Sequence, residues 1–441
     1  MTTSSFPRYE ESRWEGVREV MAMSGPIILG SLSYTVMGFA DRAMVSVLGP
    51  DALAAVGSAD ITVYTLSTLF IGITSVVATF AAQCYGRGDT QNCARYCWQG
   101  LYVSFIGIPF ALLFYLLSRR LFGSMGHSPE VTALELTYFR IRLAGYFFVG
   151  AQAALAAFFQ AVNRPVIPMI AAILGNITNL GLNYVLIYGH LGFPALGIGG
   201  AALATTLAMV VQAFVLLGIF LNRRYHRAYS TRTTWAFDAR RCRELVDVGV
   251  PAAMAMFLDI ANWWIWISYI IGMFGAVQMA ANTIALSFNS IGFMVVIGMH
   301  QGIAAVVGQW IGRGDYDCAQ RRTHTALKIA VSYMTTVGVI IAIFARPLTR
   351  LFFPGTPPEV VDLTGKILIV AAFFQAFDAT NITLMGALRG AGDVRWMMWT
   401  TAILAYGFSL PFSYFIAAGL KMETFGAWIG ATFFIVILSV V

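Results

Sequence analysis

Three aspartates stand inside long apolar stretches of this chain: Asp41 in GFADRAMVSVLG, Asp259 in MFLDIANWWIW and Asp378 in FFQAFDATNITL. A carboxylate near the middle of a bilayer-crossing helix costs about 2.5–3.5 kcal/mol on insertion scales, so it faces protein or water and marks an ion path. Such a group holds a cation or takes up a proton. Each of the three has polar company at helical spacing. Gln375 precedes Asp378 by one turn. Asn262, Trp263 and Trp266 follow Asp259 at three, four and seven residues, so the four form one stripe. A carboxylate beside indole faces suits an organic cation, through charge pairing and cation–π attraction. Tyr34 lies on the face of Asp41, seven residues earlier.

Amides form further polar faces. Asn176, Asn179 and Asn183 share one, and Asn282 and Asn289 share another, with His300 and Gln301 farther along the same stretch. Amide-rich faces bond helices to one another or supply oxygens to a cation. Asp60 reads as a structural partner or a charge near the mouth of a cavity, and His300 as a packing residue or a further polar point. Arg140, Arg142 and Lys366 are expected where their helices project beyond the bilayer. The turns YGRGD, 85–89, and IGRGD, 311–315, read as helix endings, with glycine for backbone freedom and arginine at the lipid headgroups.

The elements that position these residues follow from composition. The 441 residues are 58% hydrophobic and 11% charged, with a mean hydropathy of +0.73. A soluble domain carries about 25% charged residues. Apolar runs of helix length follow one another, which predicts an all-α polytopic membrane protein and not a β-barrel of short alternating strands. We expect twelve spans at 18–48, 52–83, 92–118, 130–160, 165–189, 197–222, 241–272, 277–310, 318–345, 358–387, 393–416 and 424–441. LGPD at 48–51, HLGFPALG at 190–197 and PGTPPE at 354–359 are among the breaks. The first 17 residues are polar and lack the apolar core of a signal peptide. The five cysteines fall on the arginine-rich side with no metal-site spacing, and are expected to be reduced structural thiols.

Charge gives orientation. Nineteen Lys and Arg lie in segments facing the side of the N-terminus, seven of them in the connection 222–243, against five on the other side. This bias places both termini in the cytoplasm and accounts for the net charge of +7 without nucleic acid. The chain also repeats itself. YGRGD returns at an offset of 226, Arg18-Glu19 with Pro26 returns as Arg243-Glu244 with Pro251, Pro129-Glu130-Val131 returns as Pro358-Glu359-Val360, and GGAALAT at 199–205 resembles GAWIGAT at 426–432. Six spans per half make the halves parallel, with a pseudo-twofold axis along the membrane normal and a central path between them. The expected organisation is a cytoplasmic segment 1–17, a six-helix bundle 18–222, an arginine-rich linker 223–240 and a second bundle 241–441.

These features resemble the MATE family of multidrug and toxic compound extrusion transporters along essentially the whole chain. The specific elements are the duplicated Q-x-x-G-R-G-D (Gln83 to Asp89, Gln309 to Asp315), GALRGAGD at 386–393, the lone Asp41 and the G-x-P opening of span seven. The resemblance implies two six-helix bundles in a V around a central cavity, and exchange of Na⁺ or H⁺ for organic, often cationic, compounds. The acidic pattern is closest to the NorM-like branch: a carboxylate in span one, another eight residues after the span-seven proline, and aromatic-Gln-x-x-Asp in span ten. Here Asp259 stands where that branch has Glu, and Phe374 where a Tyr is familiar. The Asn-x-x-x-Asp pair of the DinF-like branch reads Asn179-x-x-x-Asn183 here.

The expected function is a secondary active exporter, monomeric and without cofactor, in the plasma (inner) membrane. Ion coupling is expected at Asp41, Asp259, Asp378, Gln375, Asn179 and Asn183. The substrate cavity is expected at Tyr34, Asn176, Asn262, Trp263, Trp266, Asn282 and Asn289. Na⁺ suits Asp259 and Asp378, which share a half with Gln375, and Asp41 suits a proton or a drug. A flippase for lipid-linked substrates is the alternative, with more cationic side chains expected in its cavity. DDxxD, HExxH and GxxxxGK[ST] are absent, which disfavours an intramembrane enzyme and direct ATP drive.

Overall fold

The computed structural model describes residues 13–353 and 355–441, with the backbone alone at Arg13 and Ile291. Most of the expected N-terminal segment, including Arg8, and Pro354 of the PGTPPE break lie outside the described residues. The described elements are all helical.

Span one is Arg13–Ser46. Span two is Pro50–Ser75 continued by Val77–Gly86, and span three is Thr90–Ser104 continued by Gly107–Gly123. Span four is Pro129–Leu143 with Tyr146–Ala161, span five Val166–Tyr188 and span six Ile198–Phe220. Span seven, Ala239–Ile265, runs on into Trp266–Ile271; span eight is Ala276–Gly312 and span nine Tyr316–Ile343. Span ten is Pro358–Ala391, span eleven starts at Val394–Ala402, and span twelve is Glu423–Val440. Ten of these are long and apolar enough to cross a membrane, and the bent span-four pair makes an eleventh. Span seven completes the expected twelve. Its apolar face is interrupted by Asp259, Asn262 and three tryptophans.

Three features differ from straight, separate rods. Span four, expected as one helix at 130–160, bends by 48° at its break. The bend falls at Gly145, where a side chain would meet the Thr206 methyl at 2.9 Å. Spans seven and eleven contain π-helical turns, at Trp266–Ile271, Ile403–Ser409 and Phe415–Gly419; such turns insert an extra residue into the helical ladder. The linker holds a short helix, Arg223–Tyr229, and the rest of it is tied to span three.

Packing separates the helices into two sets. Spans five and six pack together, as do one and five, two and four, three and four, and four and six. In the second set eight packs on ten, nine on ten, eight on nine, ten on twelve and seven on eleven. The sets meet mainly where span one crosses eight and span two crosses seven and eight.

The crossing contacts obey the internal repeat. Gln83 Nε2 donates to the Gly390 carbonyl at 3.2 Å, and Gln309 Nε2 donates to the Ala161 carbonyl at 2.8 Å. Glu19 accepts from Trp310 Nε1 at 3.0 Å and from Arg322 Nε. Its counterpart Glu244 accepts from Tyr96 Oη at 2.7 Å. The two GRGD turns are built alike. Gly88 and Gly314 have φ of 78° and 80°, where a Cβ is disfavoured. Asp89 accepts from the Asn92 N–H at 3.2 Å and Asp315 from the Cys318 N–H at 2.8 Å, each capping the next helix. The Cys318 N–H holds the Asp315 carboxyl below the usual carboxylate range. All these contacts lie on the arginine-rich side.

Candidate functional site

Asp378 lies midway along span ten. It is 6% exposed, and among the described residues nothing donates a hydrogen bond to it. Asp259 of span seven is close enough to act on it electrostatically. Trp263, one turn along span seven, is near enough to act on the Asp259 carboxylate, and Tyr64 and Tyr406 stand in the same field. Tyr406 is fixed there by its hydroxyl, which donates to the Leu258 carbonyl at 3.0 Å. No Arg or Lys is among the groups acting on either carboxylate.

Two amide oxygens on the same helices also lack a donor. Gln375 Nε2 donates to Asn289 Oδ1 at 2.6 Å, which leaves Gln375 Oε1 buried without a partner. That oxygen lies against the bare Cα of Gly338, where a Cβ would stand 2.9 Å away. Asn262 is 2% exposed, and its Oδ1 accepts nothing. Spans seven and ten therefore carry two carboxylates and two unsatisfied amide oxygens with no protein cation to balance them. Such a set suits a hard monovalent cation or a proton, since buried acceptors without donors are costly. Among the described residues no group of three or more His, Cys, Asp or Glu is placed to hold a metal ion.

The first half is built differently. Asn183 Nδ2 donates to Asp41 and, at 3.1 Å, to Asn179 Oδ1. Asn179 Nδ2 continues to Thr205 Oγ1 at 3.2 Å, and Thr205 ends the chain on the Ala201 carbonyl. Arg142, Asp60 and Arg42 also act on Asp41. Tyr34 joins a second network, donating to Gln212 Oε1 and accepting from Gln152 Nε2 at 2.6 Å. Asn176 Nδ2 donates to Ser33 Oγ.

Several expected positions are corrected. Trp266 keeps its place on the Asp259 stripe, but the stripe faces the helix packing there: Trp266 is 1% exposed, with its ring edge-on to Trp263 and Trp428, each at 5.5 Å. Asn282 is fully buried, its Oδ1 accepting from Trp428 Nε1 at 3.0 Å, which ties span eight to span twelve, while its Nδ2 finds no partner among the described residues. Arg142, expected where span four projects beyond the bilayer, is packed between helices. It is 8% exposed and pairs with Asp60 at 3.6 Å, beside a Tyr138 hydroxyl that donates to the same carboxylate at 3.2 Å. Arg140 lies over the Tyr115 ring with its Nε on Ser118, and Lys366 is exposed. His300 bonds the Ile382 carbonyl at 3.0 Å, and Gln301 accepts from Gln160 across the halves. Gln152, Gln212, Thr205, Tyr64 and Tyr406 were not singled out in the sequence. The two glutamines had the signal that exposed the asparagines: an amide in a long apolar run.

A model of the MatE family matches residues 26–185 and, separately, 251–415. The chain belongs to the MATE family. The two matches fall one in each half, as the repeat requires. The probable multidrug resistance protein NorM of Mesorhizobium japonicum is 29% identical over 435 residues, 96% of this chain and 92% of the relative. The like-named protein of Bradyrhizobium diazoefficiens is 30% identical over 422 residues, 93% and 89% of the two chains. A solved structure of a multidrug resistance MATE family transporter in an outward-facing conformation superposes with a TM-score of 0.87 at 22% identity, covering 96% of this chain and 94% of that one. That likeness is one of fold. MATE proteins are transporters and not enzymes, and this MATE chain is accordingly a multi-span membrane protein.

Proposed function

We propose that this MATE protein is a secondary active multidrug exporter that exchanges Na⁺ or H⁺ for organic, often aromatic, cations. The observation that carries the reading is Asp378: a buried carboxylate in mid-span, beside Asp259, with no donor and no basic neighbour among the described residues. Its cost in the membrane has no structural return. Cation entry would relieve both carboxylates, and cationic drug would compete for the same relief. The partly exposed Trp263, beside Asp259, adds a π face for an aromatic cation. The names of the relatives support the multidrug substrate class.

In this reading the bundles 18–222 and 241–441 move as units about the shared path, favoured one way by the ion and the other by drug. The arginine bias supports an inner-membrane placement with both termini cytoplasmic. Na⁺ is assigned to Asp259 and Asp378, with amide oxygens completing its shell. Asp41, already bonded by Asn183 and facing Arg142, is assigned to a proton or a drug. The test is efflux of a fluorescent organic cation from proteoliposomes of purified protein. An imposed inward Na⁺ or H⁺ gradient should drive it, and uncoupled or absent efflux under both gradients overturns the reading.

A further inference from the structure

After span six the chain forms the short helix Arg223–Tyr229 and then runs along span three. Span three holds it at several points. Trp98 Nε1 donates to the Thr231 carbonyl at 2.7 Å and Gln99 Nε2 to the Ala236 carbonyl at 3.0 Å. The Asp238 N–H returns to Gln99 Oε1 at 3.0 Å, and the Tyr102 hydroxyl donates to the Trp235 carbonyl. The segment is a fixed shelf on the first half. Its two largest apolar side chains nevertheless point outward: Trp235 is 61% and Phe237 66% exposed, and Phe237 keeps an edge contact with Tyr102 at 5.7 Å.

The charges beside them divide into two groups. Arg240, Arg241 and Arg243 pair with Glu244, Asp238 and Asp247. Arg223, Arg224 and Arg227 are exposed, and among the described residues their side chains make no hydrogen bond or ion pair. The first two follow the end of span six directly.

The depth of the shelf can be read from span three. Its first part, Thr90 to Gly100, holds Arg95 and the amides Gln91, Asn92 and Gln99, while Leu101 to Leu117 carries neither charge nor amide. That uncharged run is about 25 Å of helix, against a hydrocarbon core of about 30 Å. The boundary therefore falls at Leu101 and Tyr102, the level at which Tyr102 grips Trp235. Thr231 lies one turn nearer water, at the level of Trp98. Aromatic side chains gather at this boundary, and arginines just outside it meet lipid phosphates.

We infer that Trp235 and Phe237, with Arg223, Arg224 and Arg227, form a docking site for the headgroups of anionic phospholipids. The rings enter the edge of the leaflet and the arginines take the phosphates. Because the shelf is bonded to span three, the lipid grips the first half.

The test uses the full-length protein in vesicles of phosphatidylcholine, with or without phosphatidylglycerol. The fluorescence lost on Trp235→Phe should be quenched by lipids brominated on the acyl chain and shielded from acrylamide in water. In native mass spectrometry, the preference for retained phosphatidylglycerol over phosphatidylcholine should fall on the order of tenfold or more in the Arg223→Gln/Arg224→Gln/Arg227→Gln protein, and the triple Lys variant should retain it. All five side chains are exposed, so these variants keep the fold. Quenching of Trp235 from the water phase, or an unchanged lipid preference in the Gln variant, overturns the site. Equal displacement of the lipid by inorganic phosphate also overturns it, by making it a soluble-anion site.

Discussion

Gly72 of span two presses its bare Cα against Ala253 of span seven, so closely that a methyl group on it would stand 2.3 Å from the Ala253 Cα. The repeat reproduces the contact from the other half, where a Cβ on Gly298 would stand 2.8 Å from the Ile28 Cα. A side chain at either glycine wedges the halves apart on the arginine-rich side. Overpacking of this kind costs about 1–3 kcal/mol, and 1.4 kcal/mol is roughly tenfold in an equilibrium. Gly72→Val and Gly298→Val should each raise the alkylation rate of a Thr79→Cys reporter, since Thr79 lies buried at the junction. Unchanged labelling in both variants would show that these contacts do not hold that side shut.

Asp378→Asn should leave insertion and thermal stability near wild type, because no donor loses its acceptor. It should abolish ion-driven export. Purified Asp378→Asn protein that still exports at the normal rate would remove the residue from the coupling site.

The two tryptophans of the Asp259 stripe should separate cleanly. Trp263→Ala should weaken binding of aromatic cations by about 0.5–2 kcal/mol and spare the fold. Trp266→Ala empties a packed core position between Trp263 and Trp428 and should cost about 3–5 kcal/mol of stability. Equal loss of stability in the two variants, with drug affinity intact, would make both rings structural.

An inward Na⁺ gradient at clamped pH should drive efflux, and Asp259→Asn should remove that response. If a proton gradient alone gives full transport and sodium has no effect, coupling shifts to Asp41 and its Asn183 partner.

Asp315 should behave as a cap. Asp315→Ala should lower stability by about 1 kcal/mol and leave transport per folded molecule unchanged. Because its carboxyl is held low in the folded state, its contribution is present above the unfolded-state value, about 3.9. It fades as pH falls through the lower folded value. Denaturation midpoints of wild type and variant should converge in acid; a constant gap down to the lowest pH would contradict the cap.

Much of the architecture was legible in the sequence because its signals are long. Apolar runs gave span boundaries to within a few residues over most of the chain, and four motif matches near one offset gave the repeat. The proposed coupling pair, Asp259 and Asp378, stood out in the sequence because a carboxylate in an apolar run is anomalous by itself. Side-chain partners were less legible. Periodicity put Trp263 and Trp266 on one stripe, but what the stripe faces depends on Phe374 and Trp428, more than a hundred residues away. Arg142 looked like a residue beyond the bilayer because Asp60, its partner, lies on another helix. The attachment of the linker to span three was not legible, because bonds from side chains to irregular backbone, such as Trp98 to Thr231, leave no pattern.

Several of the bonds that close the arginine-rich side end on backbone carbonyls: Gly390 for Gln83, Arg389 for Thr79, Ala161 for Gln309. Carbonyls at helix ends are already met by water or by their own turn. When the halves part, each donor is released into a gap that fills with water, and no acceptor is stranded in hydrocarbon. Along these bonds the seam opens by hydration, like a wetted crack, and the ion pair between Glu19 and the buried Arg322 is the contact that must exchange its partner for water as the halves part.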